Sequence, residues 1–269
     1  MRKIGGSNSK ILRRLSALFS IIATATLGAP QASLADWDWK AGFGGRNTPF
    51  GASGSAEIGY GQLLWGEAGP GKYLYGYIRP LVRYQGVGVV SRGDLGVDLN
   101  PVSFLNFRGG VRARYRMVGG FDTLDCGSSL CEGLITSPFA QSSILLGGLG
   151  FYFGAAYGWE RLTHGDSSMR FAEEFSSLYG APGTDSLVNA DFMLGREIVG
   201  NWSTGLVWQR NWMLKLGSSN DFRGVFARNK WEKWSGLVGV GLYESSTRAS
   251  SPVFFFQAEF QATPTLELN

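Results

Sequence analysis

The chain has 269 residues, and its 40 Gly and 9 Pro put backbone-special residues well above the usual share of about 12%, which disfavours a helical bundle. Charged residues are 17% and hydrophobic residues 44%, with a mean hydropathy of −0.03, so the chain is neither disordered nor a polytopic helical membrane protein. Aromatic residues reach 14%, which together with the glycine points to many short strands bearing aromatic girdles.

At the N-terminus, Arg2, Lys3, Lys10, Arg13 and Arg14 precede an apolar stretch from Leu15 to Leu27. That pattern is a signal peptide. Ser33-Leu34-Ala35 supplies the small residues of a cleavage site near Ala35, so residues 1–35 are expected to be a leader and residues 36–269 one barrel domain. A retained anchor is disfavoured because the apolar core falls short of the ~20 residues of a span. Removing five basic residues and no acidic one leaves the remainder close to neutral, so the pI of 9.1 gives no reason to expect a nucleic-acid partner.

Beyond the leader, two-residue alternation dominates the chain. From Phe107 to Val118, Arg108, Gly110, Arg112, Arg114 and Arg116 take one parity and Phe107, Val111, Ala113, Tyr115 and Met117 the other. A strand gathers those arginines on one face, whereas a helix scatters them. Leu95, Val97 and Leu99 alternate with Asp94, Gly96 and Asp98. Ile78, Pro80 and Val82 alternate with Tyr77, Arg79 and Arg83, and Phe254, Phe256 and Phe260 with Gln257, Glu259 and Gln261.

In chain order the expected strands are Asp38–Gly45, Ala56–Gly66, Lys72–Gly86, Asp94–Asn100, Leu105–Val118, Phe139–Gly147, Leu149–Leu162, Ser186–Ile198, Trp202–Leu216, Phe222–Arg228, Trp234–Glu244 and Pro252–Ala262. Twelve result, or ten without the weakest alternation in the first, fourth and tenth segments. The long gaps Gly119–Pro138 and Thr163–Asp185 flank two strands joined tightly at Gly147-Gly148, so both emerge at one end. Gly69-Pro70-Gly71, Asn100-Pro101 and Val199-Gly200-Asn201 then form short turns at the other. Phe139–Trp159 is 21 residues without a charge and contains Gly-x-x-x-Gly spacing, which also fits a membrane helix. Pro138, Gln141-Ser142-Ser143 and alternating aromatics favour a hairpin there.

The leader, the two-faced strands rich in glycine and aromatics, and the alternation of short turns with long loops together resemble bacterial outer-membrane β-barrel proteins in general. The resemblance implies an all-β fold, a single antiparallel transmembrane barrel in the outer membrane of a Gram-negative cell. It also implies contact with membrane lipids and lipopolysaccharide, and assembly by the outer-membrane machinery. Members usually end in an aromatic residue that this machinery recognises, whereas this chain ends in Leu268-Asn269.

A lumen lined by Arg79, Arg83, Arg108, Arg112, Arg114 and Arg116 favours anions. The competing expectation is that these arginines pair with lumen carboxylates such as Asp98, Asp191 and Glu259, bracing or plugging a narrow barrel. The expected function is therefore a narrow passive pore for small, preferably anionic solutes, with a non-conducting structural or surface-interaction barrel as the alternative. His164-Gly165-Asp166-Ser167-Ser168 holds an imidazole, a carboxylate and hydroxyls, the makings of a membrane lipid hydrolase. These residues are sequence neighbours on one loop and match no His-x-Ser pattern, so no enzymatic activity is expected. One His, and no acidic cluster beyond Glu173-Glu174, argue against a metal site, and no cofactor is expected. Cys126 and Cys131 in an exported loop are expected to form a disulfide. Trp159, Trp202, Trp208, Trp212, Trp231 and Trp234 are expected to mark membrane interfaces. Met169, Phe171, Phe175, Leu178 and Tyr179 suggest a short amphipathic helix or a self-packed loop at the barrel mouth.

Overall fold

The computed structural model describes residues 36–48, 50–67, 74–88, 90–116, 125–173, 175–246 and 248–262; the expected leader and the C-terminal residues lie outside them. Fourteen strands succeed one another: β1 (Asp36–Asn47), β2 (Phe50–Gly66), β3 (Tyr75–Val87), β4 (Val90–Val102), β5 (Leu105–Arg116), β6 (Gly133–Gly148), β7 (Phe151–His164), β8 (Phe171–Glu173), β9 (Leu178–Gly180), β10 (Thr184–Val199), β11 (Trp202–Met213), β12 (Ser219–Lys230), β13 (Trp234–Ser245) and β14 (Arg248–Gln261). Twelve of them close into an antiparallel barrel, and β8 and β9 form a separate two-stranded hairpin. Each expected barrel segment is present, and most are longer at one or both ends; the segment expected over Trp202–Leu216 stops at Met213, and residues 117 and 118 of the fifth segment and the turn expected at Gly69-Pro70-Gly71 lie outside the described residues.

Closure is made by β1 against β14, from Lys40 opposite Gln261 to Arg46 opposite Phe255. Among the described residues no barrel strand is left with an unpaired edge, which is the condition for strands to cross lipid. The outward parity carries Trp37, Phe43, Ile58, Val82, Leu95, Val111, Leu206, Val225, Val240 and Phe254, all exposed. An apolar band running around the whole wall is far larger than a soluble monomer exposes, and it fits an outer surface that faces hydrocarbon.

Two local expectations are corrected. The β6–β7 hairpin turns at Leu149-Gly150, with φ of 54° and 77°, rather than at Gly147-Gly148. Left-handed conformation at both central residues is what a two-residue hairpin of the right twist requires, and Leu149 bears it while fully exposed. The strand expected to end at Asn100-Pro101 runs on to Val102, because an irregularity between Leu99 and Val102 lets the ladder accommodate a proline, and the chain turns at Ser103-Phe104.

The long connections before β6 and before β10 leave the barrel at the same end. The turns at Ser103-Phe104, Leu149-Gly150 and Gly200-Asn201 lie at the other. Outward aromatic residues mark both ends: Trp37, Trp39, Trp65, Trp202 and Trp234 near the short turns, Tyr84 and Tyr115 near the long loops.

Candidate functional site

The lumen is the site, and its two sides differ. On β1 to β5, joined by Glu160 of β7, the inward parity is rich in ions. Arg79 on β3 reaches Asp38 on β1 (Nε to Oδ2 2.7 Å), Glu57 on β2 (2.7 Å) and Asp98 on β4 (3.3 Å). Glycine makes that reach possible, since a Cβ at Gly59 would lie 2.4 Å from Arg79 Nε. Arg108 grips Asp98 with two parallel bonds of 2.6 and 2.7 Å and touches Glu57 at 3.2 Å. Lys40 stands 3.6 Å from Glu57.

A second cluster lies nearer the long-loop end. Arg112 holds Asp94 bidentately at 2.7 and 2.9 Å and Glu160 on β7 at 2.6 Å. Arg92 adds a bond to Asp94 at 2.9 Å. Arg114 donates to both oxygens of Glu160 and stands 3.1 Å from Glu173. The Arg112 guanidinium also covers the Phe139 ring at 4.3 Å. Bidentate, charge-assisted pairs are the strong form of this interaction. In the two clusters Lys40, Arg79, Arg92, Arg108, Arg112 and Arg114 meet Asp38, Glu57, Asp94, Asp98, Glu160 and Glu173, so bases and acids balance.

Of the expected lumen residues, Arg79, Arg108, Arg112, Arg114 and Asp98 lie in these clusters. Arg116 is buried at the top of β5 beside Leu130 and Gly133. Arg83 is half-buried on β3, opposite Glu57 and Asp94 in register, and has no carboxylate partner among the described residues. Asp191 and Glu259 face the lumen but pair with no arginine among the described residues. Asp191 stands three strands from β5 in the sheet, and Glu259 on β14 lies opposite Gly42 of β1. The counter-ions Glu57, Asp94, Glu160 and Glu173 were not singled out in the sequence. Asp94 carries a legible signal in its shared parity with Asp98, but Glu160 has no second acidic residue on its parity along β7.

A β-hairpin spans the mouth, packed on β7, β10 and β11 and reaching Arg114 of β5; of the two expectations for this segment, a short amphipathic helix and a self-packed loop, the helix does not form. Phe171 and Leu178 are buried with Ile135, Leu162, Leu187 and Met213, and alternation along Phe171–Glu173 sends Glu173 inward to Arg114. Gly180 permits the fold, because a Cβ there would lie 2.3 Å from the Phe171 ring. Asn220 donates to the Ser176 carbonyl and the Ser218 hydroxyl to that of Tyr179. Phe175 lies between Arg92 and Arg114, with ring distances of 5.3 and 5.9 Å.

The other long loop clamps the hairpin from outside. Cys126 and Cys131 are disulfide-bonded and pack on Ala172 and Tyr179. Arg170 donates to Ser128 at 2.5 Å and covers the Tyr179 ring at 4.4 Å. His164 is largely buried: Nε2 lies 3.0 Å from the Glu132 carbonyl, Nδ1 3.1 Å from Asp166 backbone, and the ring stacks on Phe171. These contacts tie together the two loops. Outside the barrel, the Ser128 hydroxyl and Gly127 N–H hold the Asp125 carboxyl below its ordinary range, and Ser168 does the same for Asp166.

On β10 to β14 the inward parity is mixed: Leu187, Met193, Val207, Phe222, Phe226, Leu237, Val253 and Phe255 stand among Asn189, Asp191, Glu197, Gln209, Asn211, Asn220, Arg228, Lys230, Tyr243, Gln257 and Glu259, and the apolar residues gather around one cavity. Lumen-facing glycines receive the rings. A Cβ at Gly239 would lie 2.3 Å from Phe255 and one at Gly241 2.7 Å from Phe222. A cavity of about 540 Å³ remains, lined by Arg46, Thr48, Leu145, Gly154, Asp191, Met193, Val207, Gln209, Phe222, Tyr243, Val253 and Phe255 among others. Thr48 belongs to the β1–β2 turn at the long-loop end, whereas Leu145 and Gly154 lie near the β6–β7 turn at the opposite end. Of the expected girdle, Trp159, Trp202, Trp231 and Trp234 are outward and exposed. Trp212 is half-buried near Tyr157, and Trp208 is mid-strand, its Nε1 donating to Asp221 at 3.0 Å.

No protein-family model and no curated protein matches the chain. Among solved structures it is similar to the β domain of the Bordetella autotransporter BrkA, at 11% identity and a TM-score of 0.43 over 85% of this chain and 100% of that one. It is also similar to the translocator domain of the autotransporter NalP from Neisseria meningitidis (10%, 0.41, 94% and 97%) and to the NanC porin (7%, 0.41, 84% and 100%). The closed antiparallel barrel of twelve strands, with its encircling apolar band, is the fold of outer-membrane β-barrels.

Proposed function

We propose that the protein is a narrow passive passage through the outer membrane for small solutes, its route running along the apolar side of the lumen. The cavity supports this reading, since it reaches from the rim at Thr48 to Leu145 and Gly154 near the opposite turn. The paired ions act as a brace in this reading: with bases and acids matched one to one, they set up little net field to select anions. The hairpin ties them at the mouth to β10, β11 and β12. No chemical step is involved, and His164 serves to hold the two loops together. In this setting the long loops face outward, and lipids and lipopolysaccharide cover the apolar band.

A second reading, the anion-preferring pore, draws support from Arg83, whose charge is unmatched among the described residues. Two measurements on the refolded chain separate the readings. Proteoliposomes are expected to swell in small uncharged solutes, and Val207→Trp is expected to suppress that swelling. Planar-bilayer recordings across a salt gradient are expected to give small conductance with little preference between anions and cations. Anion-selective steps lost on Arg83→Ser would establish the second reading. Protein that inserts but passes no solute in either assay would establish a plugged structural barrel.

A further inference from the structure

Asp191 stands midway along β10, opposite Ala156 of β7 and Gln209 of β11. Its Oδ2 accepts from Asn189 Nδ2 at 3.3 Å, and the Gln209 side chain interacts with the carboxylate as well, while Oδ1 is buried with no hydrogen-bond partner among the described residues. The matched acids across the lumen make the contrast plain: Glu57, Asp94, Asp98 and Glu160 each hold at least one guanidinium. A buried carboxylate oxygen without a donor is costly, and Met193, Val207, Phe222 and Phe255 on the cavity wall have no side-chain donor to offer. The other charge on the cavity is Arg46 of β1, whose guanidinium sits 5.9 Å from the Tyr243 ring.

We propose that the cavity is a binding site for an apolar molecule carrying a protonated amine. The amine donates to Asp191 Oδ1, and the apolar body lies along Met193, Val207, Phe222 and Phe255. An ammonium meets the need better than a neutral donor, because a charge-assisted bond to a buried carboxylate is roughly twice as strong. Arg46 disfavours a cation on its own side, so the molecule enters with one orientation. The cavity of about 540 Å³ lies within the range of roughly 300–1,000 Å³ typical of small-molecule sites, and Thr48 of the β1–β2 turn places one end of it at the long-loop rim. The site deepens the passage reading and rests on it, naming the class of solute that dwells in the passage.

The test uses the full chain refolded into phosphatidylcholine vesicles, with a decylamine bearing a diazirine as the probe and adducts mapped by mass spectrometry. Adducts are expected on lumen-facing Met193, Val207 and Phe222, beyond the background on outward Leu206 and Phe254. Asp191→Asn, which keeps the side-chain shape, is expected to lower the lumen adducts at least tenfold and leave the outward ones unchanged. The matching decanoic acid probe is expected to label the lumen at least tenfold less than the amine. Val207→Trp fills the cavity with Asp191 in place and is expected to abolish the lumen adducts. Lumen labelling that ignores Asp191→Asn, or equal labelling by acid and amine, overturns the proposal. Labelling confined to Leu206 and Phe254 with swelling intact overturns the site and spares the passage; the same result without swelling overturns both.

Discussion

Strands β1 to β5, with Glu160 of β7, hold interlocked ions on their side of the lumen, and β12 to β14 lay aromatic rings over glycines on theirs. The backbone ladder is the same on both sides. The ionic side depends on its partners, because a guanidinium or carboxylate taken from water is costly unless another group answers it, and half-buried Arg83 is the one of its arginines that the second reading leaves for an anion. The apolar residues of the other side make no such demand and tolerate a void, since Met193, Val207, Phe222 and Phe255 have no polar group for the space beside them to strand; Asp191 is the exception on that wall. Tight closure and open volume can therefore occupy one barrel even on shared strands, since β1 and β7 carry Lys40 and Glu160 of the ion clusters at one height and Arg46 and Gly154 of the cavity wall at another.

The comparison breaks most sharply at Glu160, which answers both Arg112 and Arg114. Glu160→Ala is expected to cost about 3–5 kcal/mol, as removing one member of a buried pair strands the others, and urea unfolding followed by tryptophan fluorescence measures it. Phe171→Ala removes the fully buried anchor of the hairpin and is expected to cost about 3 kcal/mol of its docking. Limited proteolysis should then cut between residues 165 and 183, while the barrel itself resists. On the apolar side, Val207→Trp is expected to cost about 1–3 kcal/mol if the ring overfills the void, and less if the void accepts it, with solute permeation lost in both cases. Urea midpoints separate the two.

Smaller effects belong to the outside. Arg223 pairs with Asp221 from an exposed position, so Arg223→Ala should leave the urea midpoint where it was. The Asp125 carboxyl is held below its ordinary value by Ser128 and Gly127, so its contribution to loop order is complete above the unfolded value near ~3.9 and is lost as pH falls through the lower folded value. Hydrogen exchange at Gly127 and Ser128 should therefore quicken on acidification from about pH 5, and Asp125→Asn should remove that pH dependence.

Much of the wall was legible because its signal is local. Arg108, Arg112, Arg114 and Arg116 share a parity with no reference to any other strand, and the same holds for Asp94 with Asp98. The partners were less legible. Arg112 meets Asp94 because β4 and β5 pair Asp94 with Arg112 and Asp98 with Arg108, a register that depends on the irregularity at Leu99 to Val102. Glu160 reaches the stripe from two strands away in the sheet, and Glu173 arrives on a hairpin that alternation over three residues cannot announce. Phe171 and Leu178 read equally well as one face of a helix; Gly180 and the pocket formed by Leu162, Leu187 and Met213 decided for strands.

The amino-acid sequence by itself determined that this chain forms a two-faced antiparallel wall, where its strands run and which end carries the long loops, since period two and turn chemistry are properties of neighbouring residues. Only the tertiary structure decided that the arginines are matched, that a hairpin reaches them and that an unmatched Asp191 faces an apolar void, since these depend on register and closure, which bring together residues far apart in the chain.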